Sequence, residues 1–140
     1  MGRLGTCLKN MPYVTPLNFL YQDSRIYFHC AKEGKKLANI AKNNRVCFEV
    51  DELLGVKGVQ DGVEVCSSSA YYRSVIAFGK ARIIKSIEDR RRVMKKLAAK
   101  YLKLHTSPIF SETKLREVTI VEIRIGQMTG KKHLPNKIRP

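Results

Sequence analysis

Apolar and polar residues alternate with a period of two along several stretches of this chain, the mark of strands with one buried face. The clearest is residues 71–85, "YYRSVIAFGKARIIK". Val75, Ala77, Gly79, Ala81 and Ile83 fall on one face, and Ser74, Ile76, Phe78, Lys80 and Arg82 on the other. Gly79 in the middle predicts a bend or bulge. Residues 118–125 set Val121, Ile123 and Ile125 against Glu122 and Arg124. Residues 25–30 and 46–50 read as shorter strands. Residues 11–21, "MPYVTPLNFLY", are rich in aromatic and β-branched side chains. Pro12 and Pro16 cannot donate to a ladder, so this strand is expected at an edge or at a bulge. "QDSR" at 22–25 is a turn signal, so residues 13–30 are expected to form a hairpin.

Two stretches switch to the helical period. In residues 35–43, Leu37, Ile40 and Ala41 fall at i, i+3 and i+4. In residues 87–105, Val93, Met94, Leu97, Ala98, Tyr101 and Leu102 form a stripe, with Ser86 placed to cap the start. Residues 1–10 show no clear period. Residues 51–70 read as a loop with a short strand at "VEVC", and residues 126–140 as an irregular basic tail. The order is strand, strand, helix, strand, loop, strand, helix, strand. Alternating strands predict an antiparallel sheet with one wet face, or a small barrel, rather than a doubly wound parallel sheet.

Composition narrows this picture. A chain of 140 residues with 44% apolar residues is expected to form one domain with one core. Lys and Arg number 27 against 12 Asp and Glu, a net charge of +15. Such a balance favours anionic partners without choosing among nucleic acid, membrane surface and phosphorylated small molecules. Cys7, Cys30, Cys47 and Cys66 have irregular spacing, with no CxxC pair and no zinc pattern. Free thiols and a cytoplasmic setting are the expectation. No apolar run reaches the length of a membrane span.

One short motif carries chemistry. In "KEGKK" at 32–36, a glycine turn opens a helix and brings two lysines to its start. Converging amides, the helix dipole and ammonium groups suit a phosphate, although a solvated basic turn has the same residues. His29 precedes this turn at a strand end, and its pKa range suits proton transfer. Cys30 points to the opposite face, so no Cys–His dyad is expected. The helix at 87–105 carries seven cations, but no interleaved aromatics and no base-reading motif, so nucleic acid is not the expected partner. No GxGxxG motif is present.

Taken together, the segment at 12–52, "YYRSVIAFGKARII" at 71–84 and "MTGKK" at 128–132 resemble the flavin-binding split-barrel superfamily. That superfamily includes pyridoxamine 5′-phosphate oxidase, and the branch most resembled is that of the nitroimidazole-resistance proteins. The resemblance runs in order over nearly the whole chain. It implies a mainly β, α+β fold: a six-stranded antiparallel Greek-key barrel with flanking helices, spanning residues 1–140. It also implies a homodimer with FMN at the interface, reduced by a nicotinamide and reducing a small acceptor such as a nitroaromatic or a quinone.

Carried over by position, Lys35 and Lys36 match the basic pair at the FMN phosphate, with Gly34 shaping the turn. Val14, Thr15, Pro16, Leu17 and Asn18 match the strand whose backbone runs along the flavin ring. Phe28, His29 and Cys30 match a strand lining the pocket, with His29 in the catalytic position. Ser74 and Val75, beside Arg73, match positions supplied by the partner, and Thr129 and Lys131 a C-terminal segment approaching the flavin. Relatives carry a helix before the "GRLG" segment that this sequence does not show. They also carry, for true pyridoxamine 5′-phosphate oxidation, a tryptophan- and arginine-containing block; this chain has no Trp. A flavin carrier or sensor without catalysis, a nucleic-acid module using the basic helix, and a deazaflavin or haem in place of FMN are the alternatives.

Overall fold

A computed structural model of the chain describes residues 1–57, 66, 68–102 and 108–135. Among these described residues, seven strands form one antiparallel sheet. They are β1 (Gly2–Leu8), β2 (Met11–Leu17), β3 (Leu20–Gln22), β4 (Arg25–Cys30), β5 (Arg45–Lys57), β6 (Ser69–Ile83) and β7 (Thr119–His133). The helices are α1 (Lys35–Lys42), α2 (Ile87–Tyr101) and α3 (Glu112–Glu117).

The strand order is β2-β1-β5-β6-β7-β4-β3. β2 and β3 therefore lie at opposite edges, yet only Asn18 and Phe19 separate them in the chain. Three residue steps from Leu17 to Leu20 reach at most about 11 Å. The sheet must curl until its two edges meet, which makes it a barrel with a seam. Counting residues 11–22 as one strand that changes edges gives the expected six. The predicted hairpin over 13–30 is corrected accordingly: β4 pairs with the short β3, while β2 pairs with β1.

The two tight turns explain why. Lys9 and Asn10 both have positive φ (51° and 60°), as do Asp23 and Ser24 (51° and 56°). Each pair joins strands through a two-residue loop, Leu8 to Met11 and Gln22 to Arg25. Positive φ at both positions is the type I′ geometry that matches strand twist.

β1 was hidden in the sequence because its inward positions are Gly2, Leu4 and Thr6, of which only one is large and apolar. Gly2 is needed there: a Cβ would lie 2.3 Å from the Phe48 ring. Residues 51–57 continue β5 rather than forming a loop, with a register shift between Leu53 and Gly55. Residues 126–133 continue β7 rather than forming a tail, pairing with the first half of β6. Their side chains are exposed, so no apolar period marks them. "VEVC" and His105 lie outside the described residues, apart from Cys66. The six-residue α3 was too short to show a period. The bulge expected at Gly79 is present, as a register shift between Phe78 and Gly79.

Two apolar clusters hold the fold. Leu4, Phe28, Phe48, Val121 and Ile123 fill the barrel, closed by Leu37 and Ile40 of α1. Tyr27, Ile84 and Ile120 face outward under Val93 and Leu97 of α2. On β6 only Ala77 and Ala81 are buried; Val75 and Ile83, expected on the same face, are 41% and 44% exposed, Val75 in mid-strand beside a cavity and Ile83 as the last residue of the strand. Polar links tie α1 to the sheet. Buried Asn39 donates from Nδ2 to Thr6 Oγ1 at 3.0 Å, and Thr6 donates to the Tyr13 carbonyl at 3.3 Å. Asn39→Ala leaves the Thr6 hydroxyl without its donor in a dry setting and is expected to cost about 1–3 kcal/mol in a urea denaturation experiment.

Candidate functional site

The start of α1 has free helix-end donors. Gly34 is its N-cap, with φ 133° and no side-chain hydrogen bond, and no acid occupies the first turn. The first intrahelical bonds are those of Leu37 and Ala38 to the Gly34 carbonyl, at 3.0 and 3.1 Å. The amides of Lys35 and Lys36 are thus left without intrahelical acceptors. A Cβ at Gly34 would meet nothing within 4 Å, so the cradle is open, although the positive φ favours glycine.

Lys35 is held by a neighbour, and Lys36 is felt by one. Lys35 Nζ sits 4.9 Å from the centroid of the Tyr13 ring, a cation–π contact. Lys36 lies close enough to Cys30 to lower its pKa, but burial of that half-buried thiol dominates and pushes it up. Cys30 is therefore a poor thiolate at neutral pH.

The inward face of β2 carries Tyr13, Thr15 and Leu17, all half-buried; Val14, Pro16 and Asn18 are exposed. Thr15 Oγ1 is buried and has no hydrogen-bond partner among the described residues. Buried hydroxyls seldom go unpaired, so this one suits a ligand atom. Among the described residues β2 pairs with β1 alone, which leaves its other edge without a strand partner and suited to the same purpose.

The remaining candidates divide. Phe28 is wholly buried in the barrel core, so its side chain packs beneath the site and does not line it. His29 is exposed on the opposite face of β4 from Cys30 and has no partner among the described residues. Ser74 pairs with Lys131 and Ile76 with Thr129, so Ser74, Lys131 and Thr129 share one outward patch. Val75 faces inward beside an apolar cavity of about 320 Å³ that Phe19, Phe48, Val50 and Met128 also line. His29 pairs with Ile120. From Ile120 to Lys131 along β7 is roughly 36 Å of strand. One chain does not bring His29 and the Ser74–Lys131 patch together.

Sequence reasoning missed Tyr13 and Thr15 as side chains with roles, because it weighed that strand for its backbone. It also gave α2 more free charge than it has. Arg90 donates to the carbonyls of Ile84, Leu115 and Val118, and Arg91 to that of Phe110. Arg92 pairs with Asp89, Lys96 donates to Gln22, and Lys100 donates to the Phe19 carbonyl. These five cations clamp the fold, which leaves Lys95 as the cation of α2 without such a partner among the described residues, so α2 does not offer the row of free charges that a nucleic-acid surface needs. No described helix is long and apolar enough to cross a membrane.

Comparison with known proteins agrees with this architecture. No curated protein sequence matches the chain. A candidate 5-nitroimidazole antibiotic resistance protein of Bacteroides thetaiotaomicron is 31% identical, with a TM-score of 0.76 over 92% of this chain and 74% of that one. A FAD- and haem-binding protein of Mycobacterium smegmatis is 18% identical, with a TM-score of 0.81 over 97% of this chain and 67% of that one. The flavocytochrome Anf3 of Azotobacter vinelandii is 17% identical, with a TM-score of 0.77, over 96% of this chain and 62% of that one. The last two show a shared fold alone. The family model described as pyridoxamine 5′-phosphate oxidase matches residues 1–132, and the chain belongs to that family.

Proposed function

We propose that this protein binds FMN as a homodimer and reduces a small acceptor, such as a nitroaromatic or a quinone, at the expense of a reduced nicotinamide. The observation that carries the reading is the open start of α1, which holds two amides without intrahelical acceptors and two lysines, one of them against Tyr13, two residues along β2 from the unpartnered Thr15 hydroxyl. Flavin-binding relatives of the same fold support it. Lys35 and Lys36 would hold the phosphate, and the free edge of β2 over Val14–Asn18 would orient the ring system. Bound flavin supplies the two-electron chemistry that no side chain here can perform. Ser74, Thr129 and Lys131 would reach the site from a second copy, since roughly 36 Å of strand separates Lys131 from the partner of His29 in its own chain.

An absorbance spectrum of the purified protein, before and after adding FMN, tests the reading. Shifted or quenched flavin bands support it; a colourless protein that ignores FMN overturns it. Parallel titration with FAD decides between the two flavins. His29 would deliver a proton to the reduced acceptor. His29→Ala is expected to slow acceptor reduction about a hundredfold while FMN still binds; unchanged turnover would remove His29 from catalysis.

One observation favours a second reading, a flavin carrier or sensor. His29 has no orienting partner among the described residues and faces away from Cys30 and Lys36. Such a protein binds FMN but shows no steady-state oxidation of NADH or NADPH with any acceptor.

A further inference from the structure

The outward face of the sheet holds an arrangement that flavin binding does not use. Across β5, β6, β7 and β4, Arg45 pairs with Lys80, Lys80 with Arg124, and Arg124 with Arg25. Four cations therefore lie directly opposite one another in a single cross-strand row. Like charges in register repel, so such a row is unfavourable by itself. Arg45, Lys80 and Arg124 are exposed, and their side chains have no hydrogen bond or ion pair among the described residues. Arg25 is the partly engaged member of the row: it hydrogen-bonds Tyr27 and lies 3.9 Å from Oε2 of Glu122, whose Oε1 Arg82 holds at 2.7 Å. The neighbouring row on the other side is Cys47, Phe78 and Gln127, with no acid in it.

Geometry selects the kind of anion. With strands about 4.8 Å apart, the row is about 14 Å long. A single phosphate touches two of its cations at most, whereas a chain of phosphates meets them all. Phe78, 50% exposed, stands in the next row, about 7 Å along β6 from Lys80. A cationic track beside an exposed aromatic is the pattern that holds an unpaired nucleic-acid strand, the phosphates on the cations and a base on the ring. A duplex keeps its bases stacked and has no use for Phe78.

We propose that this face binds single-stranded nucleic acid, with Arg45, Lys80, Arg124 and Arg25 on the phosphates and Phe78 against a base. The site is distinct from the start of α1, and it requires that a second copy meeting Ser74, Thr129 and Lys131 leave Phe78, one outward row further along β6 from Ile76, uncovered.

Fluorescence anisotropy of a short labelled DNA strand tests this, with the full chain. Binding is expected to weaken steeply with salt. The triple variant Arg45→Gln, Lys80→Gln, Arg124→Gln is expected to bind at least about tenfold more weakly and to lower the salt slope by about 2, since each phosphate contact on a single strand contributes about 0.7. Its melting temperature should not fall, because the substitutions relieve repulsion. Phe78→Ala is expected to weaken binding with the salt slope unchanged. A charge-matched control, Lys9→Gln with Lys114→Gln and Arg116→Gln, should leave most of the affinity.

Equal loss in the control would reduce the effect to net charge and overturn the proposal. Undiminished competition by inorganic polyphosphate, combined with no effect of Phe78→Ala, would make the ligand a bare phosphate chain and overturn it as well. So would binding to phosphatidylglycerol vesicles with none to the DNA strand, or a parent protein that ignores the strand because a second copy covers the face.

Discussion

Gly79→Ala is expected to lower the melting temperature by about 10 °C or to prevent folding. A Cβ at this position would lie 2.3 Å from the Arg124 carbonyl oxygen and 3.0 Å from both the Arg124 carbonyl carbon and Ile123 Cγ2. The obstacle is the backbone of β7, which cannot rotate aside as a side chain can. β6 and β7 make the close approach where the register shifts, with Gly126 skipped between the residues that pair with Gly79 and Phe78. Separating them would loosen one of the two longest strand pairs in the barrel, so the cost should reach about 3 kcal/mol, the upper range for forcing extra volume into a packed site. At roughly 4 °C per kcal/mol for a chain of this size, that gives the stated shift. Gly126→Ala is the control. Its nearest neighbour, the Phe78 carbonyl oxygen, is 3.8 Å from a built Cβ, so the change should cost under about 1 kcal/mol. Equal melting temperatures for the two variants would mean that the strands at Gly79 can part cheaply.

The second large effect concerns binding. Replacing Lys35 and Lys36 together with glutamine is expected to weaken FMN binding at least a hundredfold and to leave riboflavin binding unchanged. Each ammonium group contributes about 1.5–3 kcal/mol when it hydrogen-bonds a charged acceptor. The lower figure applies to both here, because Lys35 is exposed and Lys36 only half-buried. Together they give about 3 kcal/mol, slightly more than a hundredfold. Riboflavin has no phosphate and serves as the internal reference. A variant that loses both ligands equally would show that the lysines support the fold. A variant that keeps FMN would move the phosphate away from α1. The Tyr13 contact with Lys35 adds a small structural cost that circular dichroism would register separately.

Much of this architecture was legible in the sequence wherever one face of an element is buried and the other wet. β6 alternates plainly, and the start of α2 is fixed by Ser86, whose hydroxyl accepts from the Asp89 amide at 3.2 Å. The elements that escaped lack that contrast. β1 turns two of its three inward positions over to Gly2 and Thr6, because Phe48 needs the space beside Gly2. The side chains in the second half of β7 are exposed on both faces, so no apolar period marks a segment held chiefly by its backbone pairing with β6. At the candidate site, the glycine–lysine turn could be read because its chemistry is local to five residues. The orphaned Thr15 hydroxyl could not, since its burial depends on strands from elsewhere in the chain. The cationic row escaped for the same reason. Arg25, Arg45, Lys80 and Arg124 are scattered through a hundred positions, and only the register aligns them.

The seam between β2 and β3 governs how the chain can be made. Phe19 sits at the crossing, and the end of α2 secures it. Its amide donates to the Tyr101 hydroxyl at 3.0 Å, and its carbonyl accepts from Lys100 Nζ at 2.8 Å. Those partners lie about eighty residues downstream. During synthesis from the N-terminus, the first strands emerge long before the helix that fastens them. For that interval the unpaired edge of β2 is not yet held beside β3 and faces any other nascent chain, a template for mispairing. Pro12 and Pro16 remove two of the donors that such pairing would use. The prolines that made this strand look poor in the sequence thus guard the barrel while it is still a sheet.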